Sequence, residues 1–434
     1  MSRPNFSQHR TDLLARLDPD EAVLLFASSP VVRTGTSTYR YRPDSDFYWM
    51  TGWEAPEAVA FLRPGEQPFT LFVQPRDPTK EQWDGGRPGP EGAEDDYGAD
   101  QAFEILDLIE ELPKLLLGVQ KLHYNFGRNA DRDGLLMDAL RKATQMARKT
   151  FDDLPHTFLS HDALLHELRL CKTPAEVEAM REASRITVDA HIAAMRATRP
   201  GTHEHTVEAT LLDVFRKNGS TGAGYTPIVA GGANATTLHY VDNNAPLQDG
   251  DLLLIDAGAE HQYYTADVTR TFPINGTFTP IQKAAYVHVL EAQKAAIARA
   301  VVGSSMVEIH NTAVRRLVEG MIDLGLLEGT VDDRIEDMSY RRYYPHGTGH
   351  WLGLDVHDVG RYSQGGNPRP LLENMVLTVE PGLYVPRDDE RAPEELRGLG
   401  IRIEDDVRVT LGEPEVLTAG VTKDPDELEA LIRG

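Results

Sequence analysis

Two helix starts built to the same plan constrain this chain more than any other feature. Thr173-Pro174-Ala175-Glu176 and Thr279-Pro280-Ile281-Gln282 are both capping boxes. Each has Thr at the N-cap, Pro at the first helical position and Glu or Gln reaching back from the third. The first predicts a helix to about Thr198, ended by Pro200-Gly201, and a second from near His203 to Asn218-Gly219. The second box predicts a helix to about Val302, broken by Gly303-Ser304-Ser305, and a further one to Leu324-Gly325. Strand-like runs follow each pair, so the order helix, helix, strands occurs twice, at 174–272 and 280–410. This is a repeat of structural order, not of residue identity. Two such halves packed together would set equivalent strands opposite one another across a cleft.

A chain of 434 residues is too long for one ordinary domain. A boundary near residues 160–173 divides it into domains at 1–165 and 166–434. The first part alternates strands and helices, which makes the class α/β (α+β) with a mixed N-terminal domain. Glu21–Ala27 and Phe69–Gln74 are short apolar runs bounded by turn residues and read as buried strands, and Leu135–Lys149 has helical spacing. The stretch from Lys80 to Asp100, rich in Gly, Pro and acids, reads as a long loop.

The formal net charge is −24, which argues against a nucleic-acid partner, since duplex binding needs a basic face. An acidic surface keeps a protein soluble, and its field would also draw in the positively charged amino termini of peptides. No apolar run approaches the roughly 20 residues needed to cross a bilayer. Met1-Ser2-Arg3-Pro4-Asn5-Phe6 carries no apolar stretch of the secretory kind. Cys171, the only cysteine, excludes an internal disulfide and reads as structural; with the missing signal it predicts a cytoplasmic protein.

The strand-like runs carry acids. In the first half Leu252-Leu253-Leu254-Ile255-Asp256 ends on a carboxylate, and the run Tyr263–Phe272 contains Asp267. In the second half Met375-Val376-Leu377-Thr378-Val379 leads to Glu380, and Gly400–Val409 contains Glu404. One such acid alone would be met by an Arg, a Lys or backbone N–H groups. Four at equivalent places in a repeat call for divalent cations, because they cannot all stay ionised in an apolar site without positive charge. His346-Gly347-Thr348-Gly349-His350 continues through Trp351 to His357-Asp358, setting three histidines among glycines that permit close backbone approach. His239 is the matching candidate in the first half.

The run from His346 to Asp358 resembles the motif of the aminopeptidase P and prolidase family of metallopeptidases. Asp44–Gly52 resembles the corresponding N-terminal stretch of aminopeptidase P. Methionine aminopeptidases differ, since they have glycine after the ligating histidine where this chain has Trp351. The resemblance implies a C-terminal pita-bread domain with a pseudo-twofold repeat. It implies five metal ligands in the family's chain order: Asp256, Asp267, His350, Glu380 and Glu404. Asp256 would chelate one metal with both oxygens, Asp267 and Glu404 would bridge the pair, and His350 and Glu380 would complete the other. An oxygen-rich set suits two Mn2+ ions, with Zn2+ or Co2+ as alternatives.

The implied activity is release of the N-terminal residue from peptides with proline second, by a hydroxide bridging the metals, with Glu380 as general base. His239, His346 and His357 would surround the substrate, and Arg402, two residues before Glu404, would orient the site. Trp83, Trp351 and Tyr362 are candidate apolar contacts for the proline ring. Trp83 also resembles a residue that reaches a neighbouring subunit, which implies a homo-oligomer, dimer or tetramer. Arg361 and Arg369 read as charge balance for the acidic surface. Three alternatives share the fold: prolidase, which takes only dipeptides and has the same ligands; creatinase, which needs no metal; and non-catalytic binding relatives, which lose ligands this chain keeps.

Overall fold

The computed structural model describes residues 5–150 and 153–434. Met1–Pro4, the start of the stretch searched for a secretory signal, lies outside them. The chain forms two compact units, Asn5–Arg169 and Leu170–Gly434.

The N-terminal unit is built on a six-stranded mixed sheet, ordered Gln101–Glu104, Phe69–Val73, Val59–Leu62, Glu21–Phe26, Lys121–His123, Thr157–Leu159. The two strands read from the sequence, Glu21–Phe26 and Phe69–Val73, lie inside this sheet and are almost wholly buried. Leu112, Leu116, Leu136 and Ala143 pack with Ala22, Leu24 and Phe72 in one core. The helix expected over Leu135–Lys149 begins earlier, spanning Ala130–Thr150. Asn129 Oδ1 accepts the N–H groups of Asp131 and Arg132 just before it.

The stretch Lys80–Asp100 is not one long loop. It contains most of the helix Pro78–Asp84 and all of Gly89–Asp95. Asp77 Oδ1 accepts from the N–H groups of Thr79 and Lys80, and Pro78 occupies the first turn. This is the same capping chemistry that marks the long helices, but on segments too short to show an apolar period. Asp44–Gly52 is likewise a short helix, Ser45–Thr51, capped by Asp44 and closed by Gly52 at φ 71°.

In the C-terminal unit both capping boxes form. Thr173 N donates to Glu176 Oε2 at 2.7 Å, and Thr279 N to Gln282 Oε1 at 2.9 Å. The four helices are Pro174–Ala197, Glu204–Lys217, Pro280–Ile297 and Met306–Asp323. The third stops short of Val302 because tighter hydrogen bonds, Arg299 N to Ala296 O and Ala300 N to Ile297 O, end it while Ala300 turns into the core. Leu252–Asp256 pairs antiparallel with both Ile228–Gly231 and Thr269–Pro273. In the second half Val376–Val379 pairs with Asp405–Arg408, and Gly382–Tyr384 with Gly400–Arg402.

The expected continuous runs Tyr263–Phe272 and Gly400–Val409 are each split. Asp267 lies between the strands Tyr264–Thr265 and Thr269–Pro273, and Glu404 between Gly400–Arg402 and Asp405–Arg408. Partners change on either side of each break, so the backbone leaves one ladder and enters another. Asp256 ends its strand, and Glu380 directly follows Val379. Each half therefore offers one acid at a strand end and one at a strand break. Among the described residues no helix is long and apolar enough to cross a membrane.

Candidate metal centre

The acids of the two halves meet in the C-terminal unit. Asp256, Asp267, His350, Glu380 and Glu404 all line one cavity of about 450 Å³, together with His239, His346, His357 and Arg402. The register Asp256 opposite Thr269 carries the first half's strand end beside its strand break. Glu404 N donates to Thr269 O at 3.1 Å, which joins the two halves at the site. Gly349 allows the approach of the histidine segment, because a Cβ there would run into the Thr378 carbonyl. The Thr378 N–H donates to the His350 carbonyl at 2.9 Å and its hydroxyl accepts the His350 N–H at 3.1 Å, so His350 is clamped from both sides of its backbone.

The side chains converge closely. His350 Nε2 lies 3.4 Å from Asp267 Oδ2 and 3.7 Å from Glu380 Oε1. Ligand atoms of Asp267, His350 and Glu404 all fall within 4.8 Å of one another. Arg402 Nη2 donates to Asp256 Oδ2 at 2.6 Å, and its Nη1 to the Tyr384 hydroxyl at 3.0 Å. His346 Nε2 meets that same hydroxyl at 2.8 Å. The rings of His350 and His357 are 4.4 Å apart, edge to face.

Burial and mutual repulsion set the proton affinities. Burial first, then the neighbouring acids, push Glu404 well above the usual carboxylate range and raise Asp267. Glu380 is pushed up to about 7, chiefly by burial. Burial opposes a charged His350, yet its hydrogen bond to Asp267 prevails and raises it to about 9. Burial, aided by the positive Arg402, lowers His346 to about 4, and burial also lowers His357. Among the described residues Arg402 is the only guanidinium lining the cavity that holds these four carboxylates. The donor set of four carboxylates and one imidazole thus fits a pair of divalent cations. Without them, protons must hold the acids together.

Several residues that shape the centre carried no signal in the sequence. Tyr225 OH donates towards both Asp256 Oδ1 and Asp267 Oδ1, at 2.6 and 2.5 Å, tying the first half's two acids together. Thr269 Oγ1 donates to Glu404 Oε2 at 2.6 Å and accepts from Arg402 Nε at 3.1 Å. Asp406 takes the Asp267 N–H at 3.1 Å. A lone Tyr or Thr in a strand-like run has no pattern to single it out, and Asp406 stands two residues from the acid that the run did single out.

Three expectations are corrected. Trp351 is no wall of the cavity: it is fully buried, packed with Leu170 and Leu377, and stacked on Tyr362 at 5.3 Å. Tyr362, whose hydroxyl accepts the Trp351 N–H, is absent from the lining too. The apolar lining comes instead from Ile228, Leu238, Val241 and Val356. Arg369 is buried, so it is not a surface counter-charge, whereas Arg361 is exposed; neither lines the cavity. Trp83 is 84 % exposed on the N-terminal unit. At the end of the histidine run, Asp358 is structural, forming a buried ion pair with Lys172 at 2.9 Å.

Comparison with known proteins agrees with this fold. The profile of metallopeptidase family M24 matches residues 178–411, and that of the aminopeptidase P N-terminal domain matches residues 6–123. The Xaa-Pro aminopeptidase of Escherichia coli is 41 % identical over 435 residues, covering 100 % of this chain and 98 % of that protein. Human Xaa-Pro aminopeptidase 3 is 34 % identical, covering 95 % of this chain and 81 % of its own. Among solved structures, the Pseudomonas aeruginosa aminopeptidase PepP superposes with a TM-score of 0.97 at 44 % identity, covering 100 % and 99 % of the two chains. Zn-substituted E. coli aminopeptidase P in complex with product gives 0.96 at 40 %, covering 100 % and 98 %.

Proposed function

The chain belongs to metallopeptidase family M24, and on that premise we propose that its centre releases the N-terminal residue from peptides whose second residue is proline. The observation that carries the reading is the convergence of Asp256, Asp267, His350, Glu380 and Glu404 on one cavity. In this proposal those five side chains hold two divalent cations, and the hard, oxygen-rich donors favour Mn2+ over Zn2+ or Co2+. When bound, the cations supply Lewis acidity that polarises a carbonyl and makes water acidic.

The chain's own residues do the rest. Glu380, which lines the cavity, takes the proton of the attacking water and passes it to the leaving proline nitrogen. His346 stays neutral and gives or accepts hydrogen bonds without adding charge, and with His239 and His357 it borders the substrate. Arg402 is a positioning residue that fixes Asp256. An Xaa-Pro bond is a tertiary amide with no N–H, so a site that reads shape rather than that hydrogen gains from the ring. Ile228, Leu238, Val241 and Val356 supply the apolar surface for it. A homo-oligomer, in which the N-terminal unit serves subunit association and substrate access, and a cytoplasmic location belong to the same proposal. The exposed Trp83 supports the first, and the lone Cys171 the second.

The test compares Arg-Pro, Arg-Pro-Pro and Arg-Ala-Ala at matched concentrations, following arginine release. Fast cleavage of Arg-Pro-Pro alone supports the proposal. Preference for Arg-Pro would make the chain a dipeptidase, and comparable cleavage of Arg-Ala-Ala would remove the role of proline.

A further inference from the structure

The helix Pro174–Ala197 buries an apolar face that includes Ala183, Ile186, Ala190 and Ala194. Three polar side chains interrupt it: Ser184, Thr187 and His191, all fully buried. Their spacing of three and then four residues sets them in one row along the helix. A buried polar group costs free energy unless it finds a partner. Where each of the three finds one is therefore informative.

Two of them reach the same short segment. His191 Nε2 lies 3.0 Å from the Ala257 carbonyl. A carbonyl only accepts, so the ring carries a proton on Nε2 and donates it. Thr187 Oγ1 accepts the Ala259 N–H at 2.9 Å while donating to the Ala183 carbonyl at 2.8 Å. The third, Ser184 Oγ, lies 3.5 Å from Oδ2 of Asp406, the carboxylate that takes the Asp267 N–H.

The segment 257–259 directly follows Asp256, and its other backbone groups reach both neighbours of Asp267. Ala257 N donates to the Val268 carbonyl at 3.0 Å, and the Ala259 carbonyl accepts from Ala266 N at 3.1 Å. Gly258 permits this closeness, because a Cβ there would run into the Ala266 carbonyl. The helix thus grips a segment that starts from one acid of the centre and is stitched to the residues before and after another. Asp267 itself lies in the gap between two strands, so it has no ladder position of its own.

His191 makes its contact at a cost. Its Nδ1 is buried and has no hydrogen-bond partner among the described residues. A leucine at this position would fill similar space without burying an unpaired nitrogen. What the imidazole adds is the hydrogen bond to Ala257.

We propose that His191 is a positioning residue of the metal centre, acting with Thr187 to hold residues 257–259 and, through them, Asp256 and Asp267. The inference rests on the reading of those two acids as metal ligands. Coordination distances tolerate only about 0.2 Å of error, so a segment that carries one ligand and braces another needs more than a strand end to hold it.

The experiment measures Mn2+ affinity of the chelated full-length protein, from the electron paramagnetic resonance signal of free Mn2+, well below the melting temperature. His191→Leu removes the donor, and His191→Gln puts an amide N–H in its place. Ile186→Val trims the same buried face without removing a hydrogen bond. His191→Leu should keep a native circular dichroism spectrum and bind Mn2+ about 10–100-fold more weakly, the range typical when a ligand's outer contact is lost. His191→Gln should recover most of that affinity, and Ile186→Val should bind like wild type. Wild-type affinity in His191→Leu, a loss that His191→Gln does not recover, or an equal loss in Ile186→Val would overturn the proposal. Should His191→Leu not fold, Thr187→Val decides in its place: it should weaken binding, and wild-type affinity there would overturn the proposal. A wild-type chain that binds no Mn2+ would instead overturn the reading of the centre itself, a failure distinct from that of His191.

Discussion

Arg402 and Asp256 belong to different halves of the repeat, yet Arg402 Nη2 and Asp256 Oδ2 are 2.6 Å apart. The same guanidinium donates to Thr269 and Tyr384, so one side chain spans the strand break of the first half and the strand pair of the second. Both partners are buried, which makes this contact strong and intolerant of loss.

Arg402→Gln should therefore lower kcat by roughly 10–100-fold, the range typical when a ligand's orienting partner is removed. Far-ultraviolet circular dichroism should remain native-like, and metal retained after gel filtration should fall. Unchanged kcat with full metal content would show that Asp256 needs no such partner.

Asp267 and Glu404 occupy the two strand breaks, and in the proposed centre both would be shared by the two cations. Asp267→Asn and Glu404→Gln should each cost several orders of magnitude in turnover while leaving the fold intact. Activity above roughly a tenth of wild type in either, against the 10–100-fold that outer-contact loss alone produces, would contradict the bridging role.

His350 and His357 stack edge to face but have different surroundings: His350 contacts Asp267 and Glu380, while His357 is exposed at the cavity. His350→Ala should lose metal, and His357→Ala should keep it while losing turnover. Elemental analysis of the two purified variants decides the point, and equal metal loss would merge the roles.

The acid cluster also predicts how stability responds to pH. Folding raises Glu380 from 4.5 to about 7, so the folded chain binds more protons than the unfolded chain across that window. Stability of the chelated protein then falls as pH rises from 4.5 to about 7. His350, raised from 6.5 to about 9, contributes stability present below 6.5 and lost on the way to about 9. The chelated protein should accordingly melt at a lower temperature near pH 8 than near pH 6.5, and manganese should stabilise it more at the higher pH, where it displaces fewer protons. Scanning calorimetry at both values, with and without metal, tests this. A chelated protein that melts higher at pH 8 would refute it.

Local chemistry was legible in the linear chain wherever a few neighbouring residues carry the whole signal. The two Thr-Pro capping boxes placed the long helices, because a cap's donors and acceptors lie within four residues of one another. The apolar runs ending on Asp256 and Glu380 marked two buried strands, and the doubled order set four acids at equivalent places in the two halves. Tertiary structure alone decided the rest. It split the runs at Asp267 and Glu404, because a strand ends where its partner does, and the partner lies far along the chain. It buried Trp351 in the core and left Ile228, Leu238, Val241 and Val356 to line the cavity. It also drew Tyr225 onto two carboxylates, and Asp46 onto a histidine pair more than a hundred positions away. Spacing along a sequence reports the period of one helix or strand. Which faces meet, and which lone side chain ends up between them, is set by long-range packing that no local pattern encodes.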